Sequence, residues 1–165
     1  GGDFVGAIVF SRGATPNIGS PYDLKQTEIC ELTRVAFRDH EWPISRCLAI
    51  ALKMLPKKCP RLRMVVSYAD PYHDHHGGIY QATNWIFTGR TPAARFFKIG
   101  GDLVHPRTVG SRGIEQSIDA VRRHIDPNAE EVKKPGKFRY LYPLDDDMRK
   151  RVEPMSNPYP KPEDI

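Results

Sequence analysis

Cysteine is scarce in this chain: Cys30, Cys47 and Cys59 are the three thiols among 165 residues. An odd number with no CxxC spacing excludes a disulfide scaffold and a zinc knuckle, and points to reduced thiols. Long apolar runs are absent too. No stretch approaches the roughly 18–20 residues that span a bilayer, and Gly1-Gly2-Asp3 opens no basic-then-apolar leader, so neither membrane insertion nor secretion is expected. Acids are the minority charge, 20 against 25 Lys and Arg, for a formal net charge of +5, which suits a polyanionic partner. At 39% apolar and 27% charged the chain is that of a globular domain with polar loops. Its length fits one domain over 1–153, followed by a Pro-rich extended tail over 154–165.

The order of elements predicts an α/β fold. Phe4-Val5-Gly6-Ala7-Ile8-Val9-Phe10 has strand composition and gives way to a Gly/Pro/Asn/Ser loop, and residues 31–37 form a second strand. Ile44, Cys47, Leu48, Ala51, Leu52 and Leu55 then fall on one helical stripe, which Pro56 and Pro60 are expected to end. Residues 63–69 make a short apolar strand. A strand-helix-strand crossover of this kind implies parallel pairing. Further on, Ile79 to Phe87 predicts a short helix, and Gly100-Gly101 a two-residue hairpin turn. Ile114, Ile118, Val121 and Ile125 mark a helix stopped by Asp126-Pro127. Phe138, Tyr140 and Tyr142 lie on one side of a strand.

Chemistry concentrates after the 63–69 strand, where parallel sheets place their crevices. Asp70 is a candidate general base, or a cap of its own loop. His73, Asp74, His75 and His76 have the side chains of a metal site, but ligands clustered on one loop seldom complete a closed shell, and no metal is predicted. Tyr80 offers a phenol proton to a leaving group, or an aromatic ring to the core. Ser45-Arg46 opens a helix whose free amides favour an anion, with N-capping by Ser45 as the alternative. Arg34, on a strand among apolar residues, either pairs with a buried acid or points into the crevice. Arg90, Arg95, Lys98, Arg107, Arg112, Arg122, Arg123, Lys133, Lys134, Lys137 and Arg139 are interleaved with Phe96, Phe97, Tyr140 and Tyr142. Cations for phosphates and aromatic faces for unstacked bases are what nucleic-acid binding needs, although a charged surface over aromatic core residues has the same pattern.

The order of strand, helix start and strand, followed by Ile79-Tyr80-Gln81-Ala82-Thr83-Asn84-Trp85, resembles the second half of the GNAT acyltransferase fold. More narrowly, several segments resemble the Mom family of phage DNA-modification proteins: Glu31-Leu32-Thr33-Arg34, Ser45-Arg46, Ser67-Tyr68-Ala69-Asp70, His76-Gly77-Gly78 running on through Trp85, Thr88-Gly89, and Lys137-Phe138-Arg139-Tyr140-Leu141-Tyr142-Pro143-Leu144. The resemblance extends from about Phe4 to Arg151.

It implies a GNAT-like mixed central sheet flanked by helices, with a basic C-terminal extension and without the first GNAT strand and helices. It also implies modification of adenine N6 in double-stranded phage DNA by a carbamoylmethyl-type adduct that protects against host restriction, in the cytoplasm of the bacterial host cell. Asp70, Tyr80 and Ser45 would be the catalytic residues. Ser45, Arg46 and Arg34 would hold the donor, and the cations from Arg90 to Arg139 would grip the DNA. Residues 42–46 carry no glycine of the usual GNAT pyrophosphate loop, so the donor is acetyl-CoA or another activated acyl or aminoacyl compound. The competing functions are a GNAT acyltransferase acting on a small amine or protein, a His-cluster metal-dependent nuclease, and a DNA-binding accessory protein without chemistry.

Overall fold

The computed structural model describes residues 3–39, 41–73 and 75–164, the side chains of residues 73 and 164 excepted. The chain forms two compact units, residues 1–90 with 138–165, and residues 91–137. In chain order the elements are β1 (Gly6–Ser11), β2 (Ile29–Phe37), α1 (Ile44–Lys58), β3 (Met64–Ala69), α2 (Gly78–Gln81) and β4 (Ile86–Arg90). The second unit adds β5 (Ala94–Ile99), β6 (Asp102–Val104), α3 (Pro106–Gly110), α4 (Ile118–His124) and β7 (Glu130–Lys134). β8 (Phe138–Pro143) and α5 (Asp146–Val152) return to the first unit.

The first unit is a five-stranded mixed sheet in the order β1-β2-β3-β8-β4, so the mixed α/β class is as expected. The β2-α1-β3 crossover makes β2 and β3 parallel, and the remaining pairs are antiparallel. Because side chains alternate along a strand, the central strands feed two cores. Met64, Val66, Ile86 and Leu141 join Met148 and Val152 of α5 on one face. Val65, Trp85, Phe87, Phe138 and Tyr140 join Leu48 and Leu52 of α1 on the other. Fully burying such side chains stabilises the fold by about 1.5–3 kcal/mol each.

Several expectations are corrected. The resemblance's basic C-terminal extension is not found: β8, with Phe138, Tyr140 and Leu141 buried, lies inside the sheet between β3 and β4. α1 runs on to Lys58 with Pro56 inside its last turn, because Leu52 is buried against the sheet and Cys59 N–H still bonds the Leu55 carbonyl. Ile79 to Phe87 is not one helix. α2 ends at Gln81, Asn84 takes a left-handed φ of 60°, and β4 begins two residues later.

The second unit is a three-stranded antiparallel sheet, β6-β5-β7. The predicted turn joins β5 to β6, with Ile99 opposite Asp102 and left-handed φ at both Gly100 and Gly101. Phe97, Val109, Val121 and Ala129 are its buried core. α4 begins at Ile118 and not near Ile114, because the Ser117 hydroxyl caps it by accepting from Ala120 N–H.

Candidate active site at the carboxyl end of β3

β2 and β3 pair over three positions only, Ile29 with Met64, Cys30 with Val65 and Glu31 with Val66. Beyond them the register passes to side chains. Ser67, 1% exposed, lies with its Oγ 2.8 Å from the Leu32 carbonyl and 2.9 Å from the Tyr80 hydroxyl. A serine has one proton and a carbonyl has none, so Ser67 donates to Leu32 and accepts from Tyr80. Burial raises the Tyr80 pKa above the ordinary tyrosine value, so the phenol is a held proton.

Tyr80 sits in a cluster of rings, 5.1 Å from Trp85 and 5.0 Å from Tyr140 between centroids. The Tyr140 hydroxyl donates to the His76 carbonyl, and burial pushes its pKa up to about 12. Gly77, between His76 and α2, has φ +89°, and a Cβ there would meet the Tyr140 ring at 2.4 Å. Only glycine allows this approach. Trp85 is fully buried, and its Nε1 has no hydrogen-bond partner among the described residues.

Asp70 follows β3 directly and is half-buried; its Oδ1 accepts from Tyr72 N–H at 3.1 Å, and its carbonyl accepts from His75 N–H at 3.3 Å. It therefore shapes the loop that leads to His76. The side chain of His73 and residue Asp74 lie outside the described residues, while His75 is exposed and His76 half-buried. Among the described residues no group of three metal-ligating side chains converges.

Ser45 and Arg46 line a groove of about 350 Å³ with Lys53, Thr83, Asn84 and Tyr142. Among the described residues its lining carries two cations and no acid. Ser45 is not the N-cap of α1; that position is Pro43, whose side chain cannot cap, and Ser45 stands inside the first turn. The Arg46 guanidinium lies 4.6 Å from the Trp42 ring centroid. Asp70 and Tyr80 do not belong to this groove's lining. Arg34 is exposed on β2 opposite Val9, past the point where β2 leaves β3, and not against a buried acid.

Of the candidate DNA contacts, Arg90 and Arg139 are in the first unit, where Arg139 bonds the Thr88 hydroxyl and carbonyl. Arg95, Lys98, Arg107, Arg112, Arg122, Arg123 and Lys137 belong to the second unit. Several of these are engaged there, Arg95 with Glu131 and the Gln116 carbonyl, Lys98 with Glu130, and Arg122 with the Ala129 carbonyl. Arg107, Arg112 and Arg123 are exposed. No helix among the described residues is long and apolar enough to cross a membrane.

Ser67, Gln81 and Tyr140 are site residues that sequence reasoning missed. All three fall within the motifs quoted above, but the bonds that define their roles cross to other elements. Comparison with known proteins matches residues 1–161 to the model of the Mom protein family. The chain is also 29% identical over 173 aligned positions to "Methylcarbamoylase mom" of Escherichia phage Mu, an alignment that covers 98% of this chain and 69% of that protein.

Proposed function

We propose, from the fact that this chain belongs to the Mom protein family, that it modifies adenine N6 in double-stranded phage DNA with a carbamoylmethyl-type group, shielding the DNA from restriction inside the bacterial host. The observation that carries this reading is the fork between β2 and β3, where Ser67 donates to the Leu32 carbonyl and accepts a hydrogen bond from the Tyr80 hydroxyl. A parallel pair that parts after three residues, with a tyrosine at the fork, is the arrangement a GNAT-like transferase needs for a donor arm and its leaving group.

In this scheme adenine is extruded from the duplex toward the rim beside Asp70. N6 is a weak nucleophile, so loss of its proton to Asp70 in the transition state contributes about 10²–10⁴-fold. Tyr80 supplies a proton to the leaving group. The groove at Ser45 and Arg46, with Arg34 on the departing arm of β2, holds the donor, and two cations without an acid suit its anionic part. Acyl transfer from acetyl-CoA would leave an N6 amide, so the carbamoylmethyl adduct requires an activated acyl or aminoacyl donor whose methylene carbon bonds to N6 as the bond from that carbon to the leaving group breaks. The exposed cations of the second unit, Arg107, Arg112 and Arg123, contact phosphates.

Mass spectrometry of nucleosides from DNA co-expressed with the protein tests the reading. Wild type yields an adenosine adduct, and Asp70→Asn loses it while keeping its affinity for duplex. Unmodified adenine with the wild type would reject the function, and full activity of Asp70→Asn would remove that carboxylate from the chemistry. Replacing Arg107 and Arg123 together by Ala lowers the salt slope of duplex binding by about 0.9 for each phosphate contact removed.

A further inference from the structure

The last segment of the chain is laid against this same rim. Asn157 N–H donates to the Phe87 carbonyl at 2.8 Å, adding a backbone bond to strand β4. The Tyr159 hydroxyl donates to the Trp85 carbonyl at 2.6 Å. Pro160 is buried, and its carbonyl accepts from Gln81 Nε2 at 2.9 Å.

Gln81, the last residue of α2, is where the arm meets the site. Its Nε2 also stands 3.2 Å from the Tyr140 hydroxyl and 3.4 Å from the His76 carbonyl. Tyr140 spends its single proton on that carbonyl, so its oxygen accepts from Gln81. Two of the three neighbours are carbonyls that cannot donate, which forces the nitrogen of the amide, and not its oxygen, to face them. One side chain thus ties the C-terminal arm to the ring that Gly77 packs on, and Gly77 immediately precedes the helix carrying Tyr80.

We infer that Gln81 is a positioning residue and that the 157–160 arm is a working part of the site, holding the His76–Gly77 backbone where Tyr80 can act. The inference rests on the function proposed above. With the arm released, Tyr140 loses a donor, the backbone before α2 is freed, and the Tyr80 hydroxyl leaves its place at the fork.

Two variants of the full chain test it. Gln81→Leu removes both donated bonds at similar volume. Gln81→Glu puts a carboxyl among three oxygens; ionised, it can donate to none of them, and protonated it restores one bond. The adenine-modification rate of Gln81→Glu, divided by that of wild type, therefore climbs as pH falls from 8 toward 5.5, by up to about tenfold per pH unit above the carboxyl's pKa, whereas Gln81→Leu stays low and flat. Hydrogen exchange over residues 70–80 speeds up in Gln81→Leu, with β3 and β8 unchanged. Matching pH profiles for the two variants, or wild-type rates in Gln81→Leu, would overturn the inference. Should Gln81→Leu fail to fold, Tyr159→Phe, which removes only the bond to Trp85, takes its place in the exchange measurement, and unchanged exchange would count against the arm. If wild type leaves adenine unmodified, the proposed function falls, while the exchange comparison still decides whether the arm holds the rim.

Discussion

At its amino end β3 is held by backbone bonds on both sides and one ion pair, whereas at its carboxyl end the backbone ladder continues only to β8, as far as Ala69 opposite Phe138, and side chains alone make the link toward β2. Arg63 and Met64 N–H groups both donate to the Glu28 carbonyl, Leu144 N–H donates to the Arg63 carbonyl, and the Arg63 guanidinium grips Asp145 through two bonds of 2.8 and 2.9 Å. By Ser67, four residues after Arg63, the ladder to β2 has gone, and Ser67, Tyr80, Tyr140 and Gln81 make the connections. A backbone ladder has no group left to give to a ligand. Hydroxyls and an amide at a fork can exchange one partner for another, so under the proposed function the amino end serves stability and the carboxyl end is the one suited to chemistry.

The largest effect that sharpens this contrast comes from Gly77→Ala. It adds a methyl 2.4–2.6 Å from Tyr140 atoms and forces a left-handed φ on an L side chain. Crowding and strain together cost about 3–4 kcal/mol. Gly100→Ala is the control, since its φ is also left-handed but nothing lies within 4 Å, so the backbone cost of about 1 kcal/mol stands alone. Chemical denaturation compares the two, and equal losses would mean that the Tyr140 contact is not constraining.

Ser67→Ala comes next. It strips Leu32 of a donor and Tyr80 of an acceptor in a buried place, at a cost of about 1–3 kcal/mol. It also frees the Tyr80 hydroxyl, so adenine modification falls further than the stability loss explains. A variant that melts early yet retains the full rate per folded molecule would reduce Ser67 to a packing role and erase the difference between the two ends.

How much of this contrast was legible in advance depended on range. The helical stripe from Ile44 to Leu55, the Gly100-Gly101 turn and the aromatic alternation of Phe138, Tyr140 and Tyr142 are local periodicities, and each corresponds to an element. β7 escaped notice because Glu130 to Lys134 has one apolar residue in five and so no alternation to detect. α5 escaped because Asp145-Asp146-Asp147 has the composition of a loop, whereas Asp145 is its N-cap, accepting from Met148 N–H. In the site, Asp70 and Tyr80 stood out as chemical residue types after a strand. Tyr140 did not, since a buried aromatic on a strand is what any core contains, and its bond to Gln81 spans 59 residues. The Arg63–Asp145 pair spans 82. Partners so distant in the chain leave no local pattern.

That pair provides the smallest effect and the finest test of the amino end. Hydrogen bonding by Arg63 holds the Asp145 carboxyl below the usual aspartate range, and the same carboxylate caps α5. A folded-state pKa below the unfolded one means that stability is present above the unfolded value, near 4, and drains away as pH falls through the lowered one. Both side chains are about a third exposed, so solvent screens the pair, and because asparagine caps a helix as well as aspartate does, the loss in Asp145→Asn comes from the weakened pairing, about 1 kcal/mol at pH 7. The difference between wild type and Asp145→Asn should shrink as pH drops below 4, because the wild-type carboxyl is by then losing its charge as well. Melts at pH 7, 4 and 2.5 follow it. A gap that stays constant down the series would show that the charge on Asp145 is idle, and that the amino end, like the carboxyl end, is held by neutral hydrogen bonds.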